Sequence, residues 1–244
     1  MGRSGVIPEK LGEATGLHIS PSHHFPTGLV TPVGRRQELL RWAQSQADRW
    51  IIEDDYDSEF RFSAHPMPTM YSLDPQGHVI YMNTFSKTLA PSIRISYMVL
   101  PPMLMAQFRQ RLGFYSCTVP SFEQYTLARF LSEGHFEKHI NRMRKFYKNR
   151  RNRVISILEN CQFSDKLTIL EQDAGLHFLV RVDSPLTDRA LTDRLARAGI
   201  RVHTLSSYYH GPIPEESRRC LIVNYSGLTD EQLARLEEKL GSFV

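Results

Sequence analysis

Nowhere in the 244 residues does an apolar run approach the ~18 consecutive residues that a membrane-spanning helix needs. The start, MGRSGVIPEK, lacks a charged region followed by an apolar one, so it does not read as a secretory leader. Cysteine is scarce: Cys117, Cys161 and Cys220 are odd in number and far apart, which argues against a disulfide frame and fits a reducing compartment. There is no repeat and no low-complexity tract. Metal ligation has little to draw on, because His23 and His24 are adjacent and do not share the i, i+4 spacing that puts two ligands on one helix face. Charge of one sign is in small excess, 30 basic against 26 acidic residues. The expectation is a cytoplasmic protein with no membrane partner, long enough to bury a core without staples.

What is present alternates short strand-like runs with helix-like ones, an α/β pattern. GLHIS, WIIED, HVIYMN and RISYMVL read as strands, and GRRQELLRWAQSQADR and MLMAQFRQRLGF as helices. One long helix is expected over residues 120–160. After it come KLTIL, GLHFLVRV, IRVHTL and RCLIVNY as strands, with LTDRLARAG and TDEQLARLEEKL as helices. This divides the chain into a large-domain portion at 1–120, a linking helix at 121–160 and a small α+β domain at 161–244. The basic run HINRMRKFYKNRRNR lies inside the linking helix. Such a run can be a footprint for nucleic acid. Here Phe136, Ile140, Met143, Tyr147, Val154 and Leu158 recur at helical steps through it, so it reads as a solvated helix with one buried stripe. No compact helix-turn-helix segment accompanies it.

Polar residues crowd two strand ends, and in open α/β sheets ligands gather beyond the carboxyl ends of strands. In WIIEDDYDSEF, residues two apart share a face, so Asp54 and Tyr56 would point one way and Glu53, Asp55 and Asp57 the other. NTFSKTLAPSIRISY then places Thr84, Ser86, Lys87 and Arg94 just after the next strand. Ordinary turn chemistry in an exposed loop accounts for such a stretch. So does a phosphate-bearing aldehyde: a lysine to form an imine, an arginine and hydroxyls for phosphate, a carboxylate to keep a pyridine nitrogen protonated and a phenol for a ring oxygen. That set matches pyridoxal 5'-phosphate group by group.

The order of HHFPTG, IIEDDYDSEFR, YMNTFSKTLAPSIRISYMVLP and HINRMRKFYKNRR resembles the pyridoxal-phosphate fold type I aminotransferases. In detail it is similar to the aminotransferase-like domain of MocR-type regulators of the GntR family. The resemblance covers nearly the whole chain. It implies an α/β fold with part of a large domain carrying a mostly parallel sheet, a long linking helix and a small α+β C-terminal domain. Lys87 becomes the internal-aldimine lysine, Asp54 the pyridinium partner, Tyr56 the ring-oxygen donor and Arg94 a phosphate ligand, with Thr84 and Ser86 as phosphate neighbours. The implied function is sensing: an amine or amino-acid effector exchanges with Lys87 to form an external aldimine, and the small domain moves. The family's homodimer and its N-terminal winged helix-turn-helix for DNA would belong to the longer protein, of which this chain resembles a C-terminal piece, with MGRS as an added start. Two alternatives stand beside it: a genuine aminotransferase with Lys87 as base, and a cofactor-free dimerisation module whose pocket is a relic.

Three departures bear on that choice. Phe25 stands where fold type I enzymes carry the asparagine of Asn-Pro-Thr-Gly. Ile222 stands where an arginine would grip a substrate carboxylate, with Arg218 and Arg219 out of register. The small-residue phosphate loop and the stacking aromatic of the domain's first part precede this stretch. Little or no turnover is the expectation, and Tyr208, Tyr209 and His210 read as core or surface rather than as the mouth of the site.

Overall fold

The computed structural model describes residues 5–62 and 67–241, so the opening MGRS lies outside the described residues. The chain divides into two compact units within a helix, at Arg142 and Met143. The second unit also takes Phe25–Gly28 and the chain around residues 60–62.

The first unit holds strands β1 (Gly16–Ile19), β2 (Trp50–Asp54), β3 (Val79–Thr84) and β4 (Ser96–Val99) in that spatial order. β1, β2 and β3 are parallel, and β4 runs antiparallel to β3. Between β1 and β2 runs α1 (Val33–Gln44), and short helices α2 (Met70–Leu73) and α3 (Phe85–Thr88) precede and follow β3. Alternation explains the core. Leu17 and Ile19 of β1, Ile51 of β2 and Val79 of β3 meet Leu39, Leu40, Trp42 and Ala43 of α1 and Met70 of α2. The helices α4 (Pro102–Leu112) and α5 (Ser121–Ser132) follow, neither with a buried residue.

The next helix, α6 (His135–Glu159), begins only after a break. Where one continuous helix is expected over 120–160, Gly134 takes a left-handed φ of 70° and ends the hydrogen-bonded run at Glu133. A glycine inside a helical pattern reads equally as continuation or as cap, and here it is a cap. The expected stripe runs through α6 all the same: Ile140 and Val154 are buried, Phe136, Met143, Tyr147 and Leu158 are half-buried, and Ile157 joins them.

In the second unit, β5 (Leu167–Leu170), β6 (His177–Val182), β7 (His203–Thr204) and β8 (Cys220–Asn224) form an antiparallel sheet in the order β5-β6-β8-β7. Phe178, Val180 and Leu221 on one face pack with α6 and with α7 (Asp188–Arg197) and α8 (Asp230–Gly241), through Val154, Ile157, Leu191, Leu233 and Leu240. The opposite face gathers Leu179, Leu205, Cys220 and Ile222. The strand expected from IRVHTL shrinks to His203–Thr204: among the described residues, 200–202 pair with no neighbouring strand, and the chain turns into a 3-10 helix at Leu205–Tyr208.

Gly134 has open space where a Cβ would go, its nearest neighbour being a Glu137 carboxylate oxygen at 3.8 Å. Gly134→Ala should therefore cost only the left-handed backbone, about 1–2 kcal/mol. Urea denaturation checks it: an unchanged stability would mean that the break does not depend on that conformation.

Candidate functional site

The expected site residues lie at or just beyond the carboxyl ends of the neighbouring parallel strands β2 and β3 and at the entry to β4. Burial alternates along the end of β2 as the spacing requires: Glu53, Asp55 and Asp57 are buried, while Asp54 and Tyr56 are half-exposed. Each inward carboxylate is engaged. Glu53 accepts from the backbone N–H of Met70 and of Tyr71, both at 2.9 Å. Asp55 Oδ2 accepts from Ser58 Oγ at 2.8 Å and from Tyr81 Oη at 2.9 Å. Asp57 Oδ2 lies 2.8 Å from His23 Nδ1. On the outward side, Asp54 Oδ2 is 3.4 Å from Nε2 of His18, which β1 supplies.

Beyond β3, Thr84 caps α3: its hydroxyl accepts from the Ser86 N–H at 3.1 Å and donates to the Ile95 carbonyl at 3.3 Å. Its proton is thus committed to the fold, whereas no protein partner claims the Ser86 hydroxyl among the described contacts. Lys87 is exposed on α3. Arg94 is exposed as well, in a left-handed conformation at φ 51°, ψ 32°, two residues before β4. A non-glycine residue there is uncommon and marks a loop that the surroundings hold in shape. Phe85 N–H to the Ile95 carbonyl, 2.9 Å, closes that loop at its base. Asp54, Tyr56, Lys87, Ser86 and Arg94 therefore offer a carboxylate, a phenol, an amine, a hydroxyl and a guanidinium from neighbouring strand ends.

Burial shapes the electrostatics. The Tyr56 phenol is pushed up by burial first and then by the negative charges of Asp57, Asp54 and Asp55, so it stays protonated and can donate. Burial likewise raises Tyr81, and raises the carboxyls of Glu53, Asp55 and Glu59. Asn83 bridges two of these groups, donating to Glu59 Oε1 at 3.3 Å and to Tyr81 Oη at 3.0 Å. His24 is lowered by burial and by its neighbour His23. The engagement of His23 with Asp57, 34 positions away, was not legible in the sequence, which marked His23 only as one of two adjacent histidines.

Within the second unit, Phe25 makes edge contacts with His177 and Tyr208, ring centroids 5.3 and 5.4 Å apart. Tyr208 is partly exposed, and Tyr209 bonds Ser217 Oγ at 2.9 Å. Ile222 is buried in the face with Leu179, Leu205 and Cys220. Arg218 and Arg219 both pair with Glu215.

Comparison with known proteins gives this arrangement a context. The family described as aminotransferase class I and II matches residues 9–240. The chain is 37% identical to an uncharacterized HTH-type transcriptional regulator, YhdI, of Bacillus subtilis (strain 168), over 97% of this chain and 50% of that protein. It is 37% identical to the probable rhizopine catabolism regulatory protein MocR of Rhizobium meliloti, over 87% of this chain and 42% of that protein. A kynurenine aminotransferase of Pyrococcus horikoshii, solved in complex with PMP, superposes with a TM-score of 0.78 at 27% identity, covering 98% of this chain and 62% of that one. The chain thus spans about half the length of the curated relatives it matches, and its fold is the fold type I architecture expected from the sequence.

Carboxyls with raised pKa values bind protons more tightly folded than unfolded. They support the fold below the ordinary range and lose that contribution as pH rises through the folded values. Stability should accordingly fall as pH rises from the ordinary glutamate value of 4.5 toward the raised one of Glu59. Glu59→Gln should remove its share, flattening the profile in that window. Urea midpoints measured across pH check this, and an equal slope in both proteins would contradict it.

Proposed function

The chain belongs to the aminotransferase class I and II family, and from that premise we propose that it is the effector-sensing domain of a MocR-type regulator, built to hold pyridoxal 5'-phosphate on Lys87. The observation that carries this reading is the outward set at the two strand ends, Asp54 and Tyr56 beside Lys87 and Arg94, with the odd-numbered carboxylates turned into the fold. The donor chemistry fits the group: each polar position of the cofactor has a counterpart of the right kind.

In this reading Asp54 holds the proton of the ring nitrogen, since a nearby carboxylate favours the charged form. Tyr56, kept protonated by burial, donates to the ring oxygen. Arg94 and Ser86 hold the phosphate, with Thr84 shaping the turn between them rather than donating its own proton. The Lys87 amine would be the attachment point. When bound, the cofactor would supply an electrophilic carbon to which amines add reversibly.

Sensing rather than turnover is supported by the second unit. Ile222, where such an arginine is expected, is buried among Leu179, Leu205 and Cys220, and the nearby Arg218 and Arg219 pair with Glu215. Misplacing a substrate by about 1 Å costs on the order of a hundredfold in rate. The names of the relatives, an HTH-type transcriptional regulator and a probable regulatory protein, agree. In this reading the whole protein is a cytoplasmic homodimer that contacts DNA through an N-terminal winged helix-turn-helix, as the resemblance to MocR-type regulators implies. Large exposed apolar side chains on and beside α4 and α5, Phe114, Tyr115, Phe122 and Tyr125, support an association surface in the first unit. Among the described residues no helix is long and apolar enough to cross a membrane. A second reading, a working aminotransferase in which Lys87 moves the substrate's α-proton, draws on the family itself.

Incubation with pyridoxal phosphate should leave a visible absorbance that survives desalting, and borohydride reduction with peptide mapping should place the phosphopyridoxyl group on Lys87. Label on another lysine, with Lys87 unmodified, refutes the assignment. Asp54→Asn should weaken cofactor retention about 5- to 150-fold, the worth of ~1–3 kcal/mol for a protonated ring nitrogen that loses its charged partner. Amino acids should change the absorbance without releasing keto acid. Sustained keto-acid formation would decide for the enzyme.

A further inference from the structure

His23 and Asp57 lie 1% exposed each, with Nδ1 of one 2.8 Å from Oδ2 of the other. Two parallel neighbours bring them together: His23 follows β1 and Asp57 follows β2. The loop carrying the histidine is held by backbone bonds, Thr31 N–H to Pro21 O at 2.8 Å and His24 N–H to Leu29 O at 2.9 Å. A carboxylate only accepts, so the hydrogen between the two is carried by Nδ1. The Tyr56 hydroxyl stands 3.4 Å from that same nitrogen, with the two rings tilted at 41°. With Nδ1 protonated, the phenol cannot donate to it. It can only lend its oxygen as a weak second acceptor, and its own proton must point elsewhere.

We propose that the buried His23–Asp57 pair is a positioning device for Tyr56, fixing the direction of its O–H so that the phenol donates to the ring oxygen of a bound pyridoxal group. This rests on the cofactor reading above and names what tunes that site. The histidine acts through the tyrosine and touches no ligand itself. Without Asp57, Nδ1 can shed its proton and accept from the phenol, which turns the Tyr56 O–H inward. The logic is that of a carboxylate holding a histidine in one tautomer. The other charged groups facing the phenol are Asp54 and Asp55, and His24 adjoins His23; all of them remain in every variant below.

The test compares pyridoxal phosphate with its 3-deoxy analogue, which lacks the ring oxygen. Affinities of both are measured by absorbance titration on the whole chain, with circular dichroism to confirm folding. The native chain should prefer pyridoxal phosphate, and the part of that preference lost in Tyr56→Phe, about five- to tenfold for one hydrogen bond, is the part the phenol carries. His23→Leu and Asp57→Asn should each lose most of that same part. His23→Asn, which retains an N–H donor toward Asp57, should keep more of it. If the pair merely supports the fold, both ligands weaken together and the ratio stays at the native value, which overturns the proposal even where the variants are destabilised. If the native chain binds neither ligand, the cofactor reading itself falls and takes this with it. Label on Lys87 together with an unchanged ratio in His23→Leu sinks the positioning role alone.

Discussion

The first unit is organised around a guanidinium with no access to water. Arg36 is fully buried in the first turn of α1, and it donates to the carbonyls of Thr31, Pro68 and Pro21 at 2.9, 2.9 and 2.8 Å. Burying a charge is costly unless its donors are satisfied, and here backbone carbonyls do most of that. Its nearest acid, Glu53, is 3.9 Å away and equally buried. The direction of the Glu53 shift shows how loose that pair is. Burial raises its pKa, the amides of Met70 and Tyr71 pull it down, and Arg36 is the weakest of the influences. Arg36 and Glu53 are each held chiefly by backbone, and together they tie the loop after β1, the start of α1, the entry to α2 and the end of β2 into one piece.

That constraint sets the orientation of the end of β2. With Glu53 facing inward, the pleat sends Asp54 out. Beyond the strand the bend keeps the alternation through side-chain bonds, Asp55 to Ser58 and Tyr81 and Asp57 to His23. The loop that Arg36 holds at Pro21 also carries His23 to Asp57. Structure and proposed chemistry therefore share one set of bonds, and the polar residues of the site fall into two layers, an outer one available to a ligand and an inner one spent on holding it.

The second unit invests its residues differently. The position at which a carboxylate-gripping arginine is expected in an enzyme is an isoleucine packed into an apolar face, and the arginines nearby are occupied by Glu215. Part of the basic character of α6 is likewise in use: Arg150 donates to the Leu228 carbonyl and pairs with Asp230, and Arg151 lies over Phe62 and donates to the Gln172 carbonyl. A basic helix face whose guanidiniums are engaged in its own unit is a weaker attractor for phosphates than its composition implies.

Periodicity and spacing, which are local, determined a good deal from the sequence alone: the inward-outward parity at residues 53–57, the strand that ends just before Lys87, the buried stripe of α6 and the α/β class, to which the fold type I resemblance was added. Each follows from the geometry of a single strand or helix, so one stretch of chain suffices to read it. Tertiary structure decided what depends on partners. Whether Gly134 continued a helix or capped it, how soon the strand at His203 gave way to a turn, and which of two adjacent histidines would sit beside Asp57 were settled by what packs against them. Arg36 shows the same limit most plainly. In sequence it is one of two adjacent arginines at the start of an amphipathic helix, and only the meeting of two loops, the one after β1 and the one before α2, supplies the carbonyls that let it be buried. A hydrogen bond between residues 34 apart leaves no trace in either residue's neighbourhood, because the chain that brings them together lies wholly between them.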